Sequence, residues 1–362
     1  MRKLILTTIA CMTLVSFSPL AEPTEVEAAK PNISNTQIKN LQEAPPAAIN
    51  EIFPDDALSF KVAQELSVSE DTVVTQEQLD TIKTMVYVEF GVKDLSGMEY
   101  LHNLHVIDLS QNEITNIDSL AKLTNLEEIS LNQNQIVDIS PLMNLPLLNN
   151  LEIEGNQIAS LPSFDNLVNL KILDLNNNQL SDISNLKVAK QLTDLYISNN
   201  NISDISILSN LEQLQSFYAE TNQLTSLESL QNKVYLEDFD ADYNQIKDVT
   251  PLSTCPNLKY IQIEANQISD FSSLSNQHFI KFEANGQEVY LPPVMLGQST
   301  SIVLKDNKGV TLTDWIWDTP GVYENDTLTW QNSGDNSAYF LNNQYPTFPS
   351  VDVSVYQTVT PN

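Results

Sequence analysis

Apolar residues in the middle of the chain recur in a fixed 22-residue pattern. The leading leucines are Leu104, Leu126, Leu148, Leu170, Leu192, Leu214, Leu236 and Leu258. An asparagine stands eight residues after each, from Asn112 to Asn266 in the same step. Each unit reads L-x-x-L-x-L-x-x-N-x-I/L-x-x-I/L-x-x-L-x-x-L-x-x, the period and consensus of a leucine-rich repeat. Eight consecutive units in one register exclude coincidence.

The two halves of the unit predict different elements. The L-x-L segment alternates inward and outward, which gives a short strand with one buried face. The second half spaces its apolar residues by three, as in Ile136, Ile139, Leu142 and Leu145, which fits 3-10 turns. The asparagine falls where the chain leaves the strand. There its amide both donates to and accepts from backbone groups that would otherwise be buried unpaired. Stacking these units predicts an α/β leucine-rich-repeat solenoid over residues 82–285, with a parallel sheet on its concave face and 3-10 turns on its convex back. The ladder starts one period upstream of the consensus, at Ile82, Met85, Tyr87, Val92, Leu95, Met98 and Leu101, with Phe90 in the asparagine slot. After Leu274 a shortened unit runs through Phe279, Phe282 and Ala284. Terminal repeats of this kind need something to close them.

Both flanks lose the period. Leu58, Val62 and Leu66 lie at helical spacing between Asp55 and Leu66, and Thr75-Gln76-Glu77-Gln78 has the form of a capping box opening a second helix through Leu79 and Ile82. These predict a helical N-terminal cap over residues 49–81. Residues 29–48, rich in Pro, Asn and Ala, read as a disordered lead-in. From about Gly286 onward, β-prone runs appear at Ser301–Leu304, Thr327–Trp330, Ala338–Leu341 and Val351–Val359, separated by turns such as Asp306-Asn307-Lys308-Gly309 and Pro320-Gly321. They predict a small β-sandwich over residues 286–362 that holds all three tryptophans.

At the start, Arg2 and Lys3 precede an apolar run from Leu4 to Phe17, followed by Ser18, Pro19 and small residues. This is the pattern of a secretory signal peptide, read here over residues 1–28 with cleavage after Ala21 or Ala28. The run is shorter than the roughly 20 residues that span a bilayer, so no membrane insertion is expected. A lipoprotein signal ending at Cys11 is the competing reading, and it leaves an apolar region of six residues.

Charge narrows the partners. The 362 residues carry 47 acidic and 17 basic side chains, a formal net charge of −30, which repels nucleic acid and anionic lipid. Eight glycines argue against phosphate-binding loops, and two cysteines with three scattered histidines build no metal cage. Cys255 occupies the slot held by Leu145 and Leu167 in other units and reads as a small buried hydrophobe. His102 and His105 read as surface or packing residues. No nucleophile–base pair or paired-carboxylate motif stands out from the consensus, so neither an enzyme nor a cofactor is expected.

The order of parts resembles the internalin family. The resemblance rests on the signal peptide, on Ile49-Asn50-Glu51-Ile52-Phe53-Pro54-Asp55 opening the cap, on the N-Q-I-x-D-I-S-x-L variant at Asn134–Leu142, and on the module from Gly286 ending Tyr356-Gln357-Thr358-Val359-Thr360-Pro361. It covers about residues 48–361 and implies an immunoglobulin-like C-terminal domain, export from a Gram-positive bacterium, a role in virulence, and binding of a host protein through the concave repeat face. Many members end in an L-P-x-T-G sorting signal, which Leu291-Pro292-Pro293-Val294-Met295 is not, and basic cell-wall repeats are absent. The resemblance is therefore to the short, freely secreted members, and a monomer is expected.

Positions beside the buried leucines point to the concave surface. The central outward column contains Asp174, Tyr196, Tyr218, Asp240 and Gln262. The columns on either side contain Asp194, Ser216, Asp238 and Tyr260, and Ser198, Glu220, Asp242 and Glu264. Tyr196, Tyr218 and Tyr260 are candidate anchors, since a tyrosine on a rigid sheet buries much area at low entropy cost. Asp194, Glu220, Asp238, Asp240, Asp242 and Glu264 surround them, with Lys259 as the nearby base. The expected ligand is a protein with a basic, partly apolar surface. The alternative is a bacterial surface or adhesion role, with cell-wall glycan or another bacterial protein as ligand. Weak calcium binding by Asp238, Asp240 and Asp242 is disfavoured, because that ion wants six to eight oxygens from a closed loop.

Overall fold

A computed structural model describes residues 44–312, 315–340 and 351–361. The expected signal peptide, Cys11, most of the lead-in and Leu341 lie outside the described residues.

Ten three-residue strands form one parallel sheet: β1 (Thr84–Val86), β2 (Val106–Asp108), β3 (Glu128–Ser130), β4 (Asn150–Glu152), β5 (Ile172–Asp174), β6 (Asp194–Tyr196), β7 (Ser216–Tyr218), β8 (Asp238–Asp240), β9 (Tyr260–Gln262) and β10 (Lys281–Glu283). Their middle residues stack into one buried column from Met85 through Leu173 and Phe239 to Phe282. The step between strands is one repeat until β10, where Tyr260 pairs with Lys281 and the shortened last unit shows. Behind the sheet, 3-10 helices such as Ser140–Asn144, Ser184–Val188, Ser206–Asn210 and Thr250–Thr254 form the convex back.

Most of the convex turns are started by their own aspartate, and Asn116 and Ser226 take the same position in two others. Asp138, Asp182, Asp204, Asp248 and Asp270 accept the backbone N–H two residues on, at 2.7–2.8 Å. Pro162 occupies the capped position in its unit and has no N–H to offer. Among the described residues of units with the full consensus, that unit forms no 3-10 helix.

The consensus asparagines form the buried rungs that the repeat demands. Asn134 Oδ1 accepts from Ile114 N at 3.0 Å, and its Nδ2 donates to Leu109 O and Leu131 O. The same set repeats up to Asn266, satisfying strand-exit groups that water cannot reach. Phe90, in the first asparagine slot, turns outward and stacks on Tyr87 with centroids 4.0 Å apart. At the far end Gln287 serves as the last rung: its Oε1 accepts from Ile268 N, and its Nε2 donates to Ile263 O and Ala284 O. A second, exposed set runs along the rim, where Asn125, Asn169 and Asn257 donate to His102 O, Pro146 O and Val234 O.

One leucine slot of the back holds a cation. Lys233 lies between Leu211 and Cys255 in the repeat register and is buried, its ammonium donating to Leu208 O and Leu211 O. Burial pushes its pKa down. Cys255 is buried beside it, and burial pushes its thiol up.

The front of the solenoid is closed by α1 (Ile49–Ile52), α2 (Asp56–Leu66) and α3 (Gln76–Leu79). Asp55 caps α2 through one oxygen (Ala57 N and Leu58 N, 3.0 Å each) and ties down the first repeat through the other (Lys93 N, 2.8 Å). Thr75 N donates to Gln78 Oε1, as the capping box predicts, but the helix stops at Leu79, before Ile82.

The region after Gly286 is all-β. One sheet contains β11 (Gln287–Met295), β13 (Trp315–Trp317), β16 (Gly334–Phe340) and β17 (Val353–Thr360); the other contains β12 (Ser299–Ser301), β14 (Gly321–Glu324) and β15 (Thr327–Trp330). They meet through Trp317 against Trp330, whose Nε1 donates to Gln357. Ser301–Leu304 is a strand only at its first residue. Strand β11, unexpected because it contains Pro292 and Pro293, absorbs them in a register shift between Leu291 and Val294 against β17.

Candidate partner-binding face

Parallel pairing in register converts the repeat columns into rows of neighbours. Asp194, Ser216, Asp238, Tyr260 and Lys281 form one column across β6–β10; Asp174, Tyr196, Tyr218, Asp240, Gln262 and Glu283 form the next across β5–β10. The Tyr196 and Tyr218 rings lie side by side, centroids 5.1 Å apart and tilted 33°. Tyr218 donates its hydroxyl proton to Asp238, and burial together with that bond pushes the phenol far up. Burial, then Asp194 and Asp174, push Tyr196 up to about 12. Tyr260 is the most open of the three, at 36% exposure.

The acidic residues separate into two kinds. Asp194, Glu220 and Glu264 are part-exposed; Asp194 is oriented by Thr193 Oγ1 at 2.7 Å, and Glu264 by Asn285 Nδ2 at 2.9 Å. Asp240 and Asp242 correct the expectation of an open acidic surface, being only 7% and 8% exposed. Side chains of adjacent strands rise around them on a concave sheet, an effect that no single repeat reveals. Asp240 accepts from Asp242 N at 3.0 Å and from Gln262 Nε2 at 3.1 Å; Asp242 accepts from Glu264 N. Burial pushes Asp240 up to about 7 and Asp242 up to about 6, with Asp242 and Glu264 respectively adding repulsion. Asp238 is also raised by burial.

The face extends beyond the expected residues. Asp174, in register with Tyr196, is raised to about 7 by burial, then by Glu154 and Glu152. Its place in the column was readable, but its enclosure was not. Lys281 joins Lys259 as a nearby base. Both are already engaged, Lys259 with Glu237 and Lys281 with Glu283, each at 2.8 Å. The tyrosine pair thus sits among carboxylates without a cation of its own on these columns. Among the described residues, no three His, Cys, Asp or Glu side chains converge on a metal-sized site. His102 and His105 lie at the rim, beside Asp80 and Glu127.

Fold and face together define a capped leucine-rich-repeat module for protein interaction. The chain belongs to the internalin family. Residues 36–80 match the family profile described as bacterial adhesion/invasion protein N terminal, and residues 102–144, 146–188, 190–232 and 236–276 match leucine-rich repeats in pairs. The crystal structure of an internalin (inlF) from Listeria monocytogenes is similar at 33% identity and TM-score 0.66, over 68% of this chain and 73% of that one. That of internalin C2 from the same species aligns at 34% identity and TM-score 0.54, over 67% of this chain and 99% of that one. Internalin H of Listeria monocytogenes is 46% identical over 72 residues, which are 19% of this chain and 13% of that protein. The stretch shared with this curated relative is therefore a small part of its length.

Proposed function

We propose that this protein is a secreted, monomeric internalin that engages a host protein through the concave face of its repeats. The partner surface is basic and partly apolar. The observation that carries this reading is the Tyr196–Tyr218 pair, flanked by Asp194, Asp238 and Asp240 with both nearby lysines already paired. Aromatic rings supply the buried area, and a cationic side chain meets both the ring faces and the carboxylates. The test is capture from host-cell surface extract with the mature protein and with Tyr196→Ala/Tyr218→Ala/Tyr260→Ala. A partner held by the wild type and lost by the variant supports the reading; equal retention by both moves binding off this face.

A second reading, adhesion to a bacterial surface ligand such as cell-wall glycan, has support in a different place. On the outer face of the β11–β17 sheet, Tyr290 stacks on Tyr356 at 5.0 Å beside Asp335, Ser337 and Thr358. Glycan binding that is lost in Tyr290→Ala/Tyr356→Ala and kept in the concave-face variant favours it.

A further inference from the structure

The concave face places carboxyl groups where their charge is poorly tolerated. Asp240 and Asp242 are each more than nine-tenths buried, on the same side of one strand and its exit. Asp240 faces Tyr218 and Glu220 from β7 and its exit, Asp238 from its own strand, and Gln262 from β9. Asp242 faces Glu220, Glu264 and Glu283 from three neighbouring units. Asp174 faces Glu152 and Glu154 on one side and Tyr196 on the other. The donors given to the buried pair are one backbone N–H each, plus the Gln262 amide for Asp240. Lys259 is paired with Glu237, and Lys281 with Glu283 and Gln262; Lys281 eases the charge of Asp238 and does not reach the buried pair. Enclosure and like-charge neighbours both oppose ionisation, and the donors present offset only part of that.

We propose that the C-terminal half of the concave face is a proton-dependent surface: mild acidification protonates Asp174, Asp240 and Asp242, discharges the face and tightens the fold. Burial first, and neighbouring carboxylates after it, push Asp174 and Asp240 up to about 7 and Asp242 up to about 6, against 3.8 as the ordinary value. Because the folded pKa lies above the unfolded one, the folded state binds more protons across the interval from about 4 to 7. Stability is therefore greatest at the acid end of that interval and is lost as pH rises through it. The same protonation removes up to three negative charges from beside the tyrosine pair, so a cationic ligand is held above neutral pH and released below it. This last step rests on the reading of the face as a binding surface; the titration does not.

The experiment follows the full mature chain between pH 8 and pH 5 by thermal melting and by carboxyl-carbon NMR of the aspartates. Three aspartate resonances with midpoints near neutrality, and a melting temperature that rises on acidification, are expected. Asp240→Asn/Asp242→Asn should flatten the rise, whereas Asp204→Asn/Glu228→Gln on the convex back should leave it intact. All aspartates titrating near 4, or a slope that survives the concave substitutions, overturns the proposal. A fluorescent nona-arginine peptide reports binding separately. Affinity weaker by roughly tenfold or more at pH 5 than at pH 8 extends the proposal to the ligand. Near-neutral carboxyl titration without peptide binding at either pH upholds the proton uptake and counts against the binding reading instead.

Discussion

The two faces of the solenoid use aspartate in opposite ways. On the convex back, Asp138 and Asp182 are solvated and accept hydrogen bonds from the N–H and hydroxyl of Ser140 and Ser184, which hold their carboxyls below the usual range. On the concave face, Asp174, Asp240 and Asp242 also accept a backbone N–H two residues on or from the next unit. There enclosure outweighs that bond, and their pKa values rise. The backbone hydrogen bond is common to both sides, so solvent access, neighbouring charge and the serine hydroxyls of the back decide the sign. Negative charge on the back helps to build turns; on the front it is held against a cost, which is more typical of a functional surface than of a structural one.

The contrast can be probed most strongly where the back itself buries a charge. Lys233→Ala should cost about 2–4 kcal/mol in urea unfolding, because it leaves a cavity and removes the ammonium donor from Leu211 O and from Leu208 O, which keeps only the N–H of Leu211. Lys233→Met, of similar length, should cost less than about 1.5 kcal/mol, since an apolar side chain fits a slot that other units fill with leucine. Equal losses in the two variants would show that the ammonium itself is indispensable.

On the concave face the sign reverses. Asp240→Asn should stabilise the protein at pH 8, where the wild-type carboxyl is forced to ionise, and should be close to neutral at pH 4. Paired urea curves at the two pH values check this. The smallest effect belongs to the turns. Asp138→Ala should cost about 0.5–1 kcal/mol near neutrality, through loss of the bond to Ser140 N. Because its folded pKa is lowered, that contribution is present above the ordinary carboxylate pKa and disappears as pH falls through the folded value. A variant that loses nothing near neutrality would mean that the turn forms without its cap.

Much of this architecture was legible because the repeat is one-dimensional. Once Leu104 to Leu258 fix the period, the register of every strand follows, and with it the adjacency of Tyr196 and Tyr218. Helix α2 was readable from Asp55 and the spacing of Leu58, Val62 and Leu66. What escaped depends on how units meet. Gln287 completes the asparagine ladder one residue short of the period, with a longer side chain making up the difference. Lys233 enters a leucine slot because its aliphatic stem is apolar and its tip finds two carbonyls. The enclosure of Asp174, Asp240 and Asp242 arises from curvature and from rows of neighbours, so a single repeat carries no sign of it.

Gln287 also has a mechanical consequence. It is at once the last rung of the solenoid and the first residue of β11, which runs parallel to β17 from Gln287–Val353 to Met295–Thr360. Tension entering through Thr360 and leaving through Gly286 pulls these two strands along their length in opposite directions. Their hydrogen bonds then load together, in shear, and do not open one at a time. The joint between repeats and β-region is thereby a tether that resists pulling along its axis.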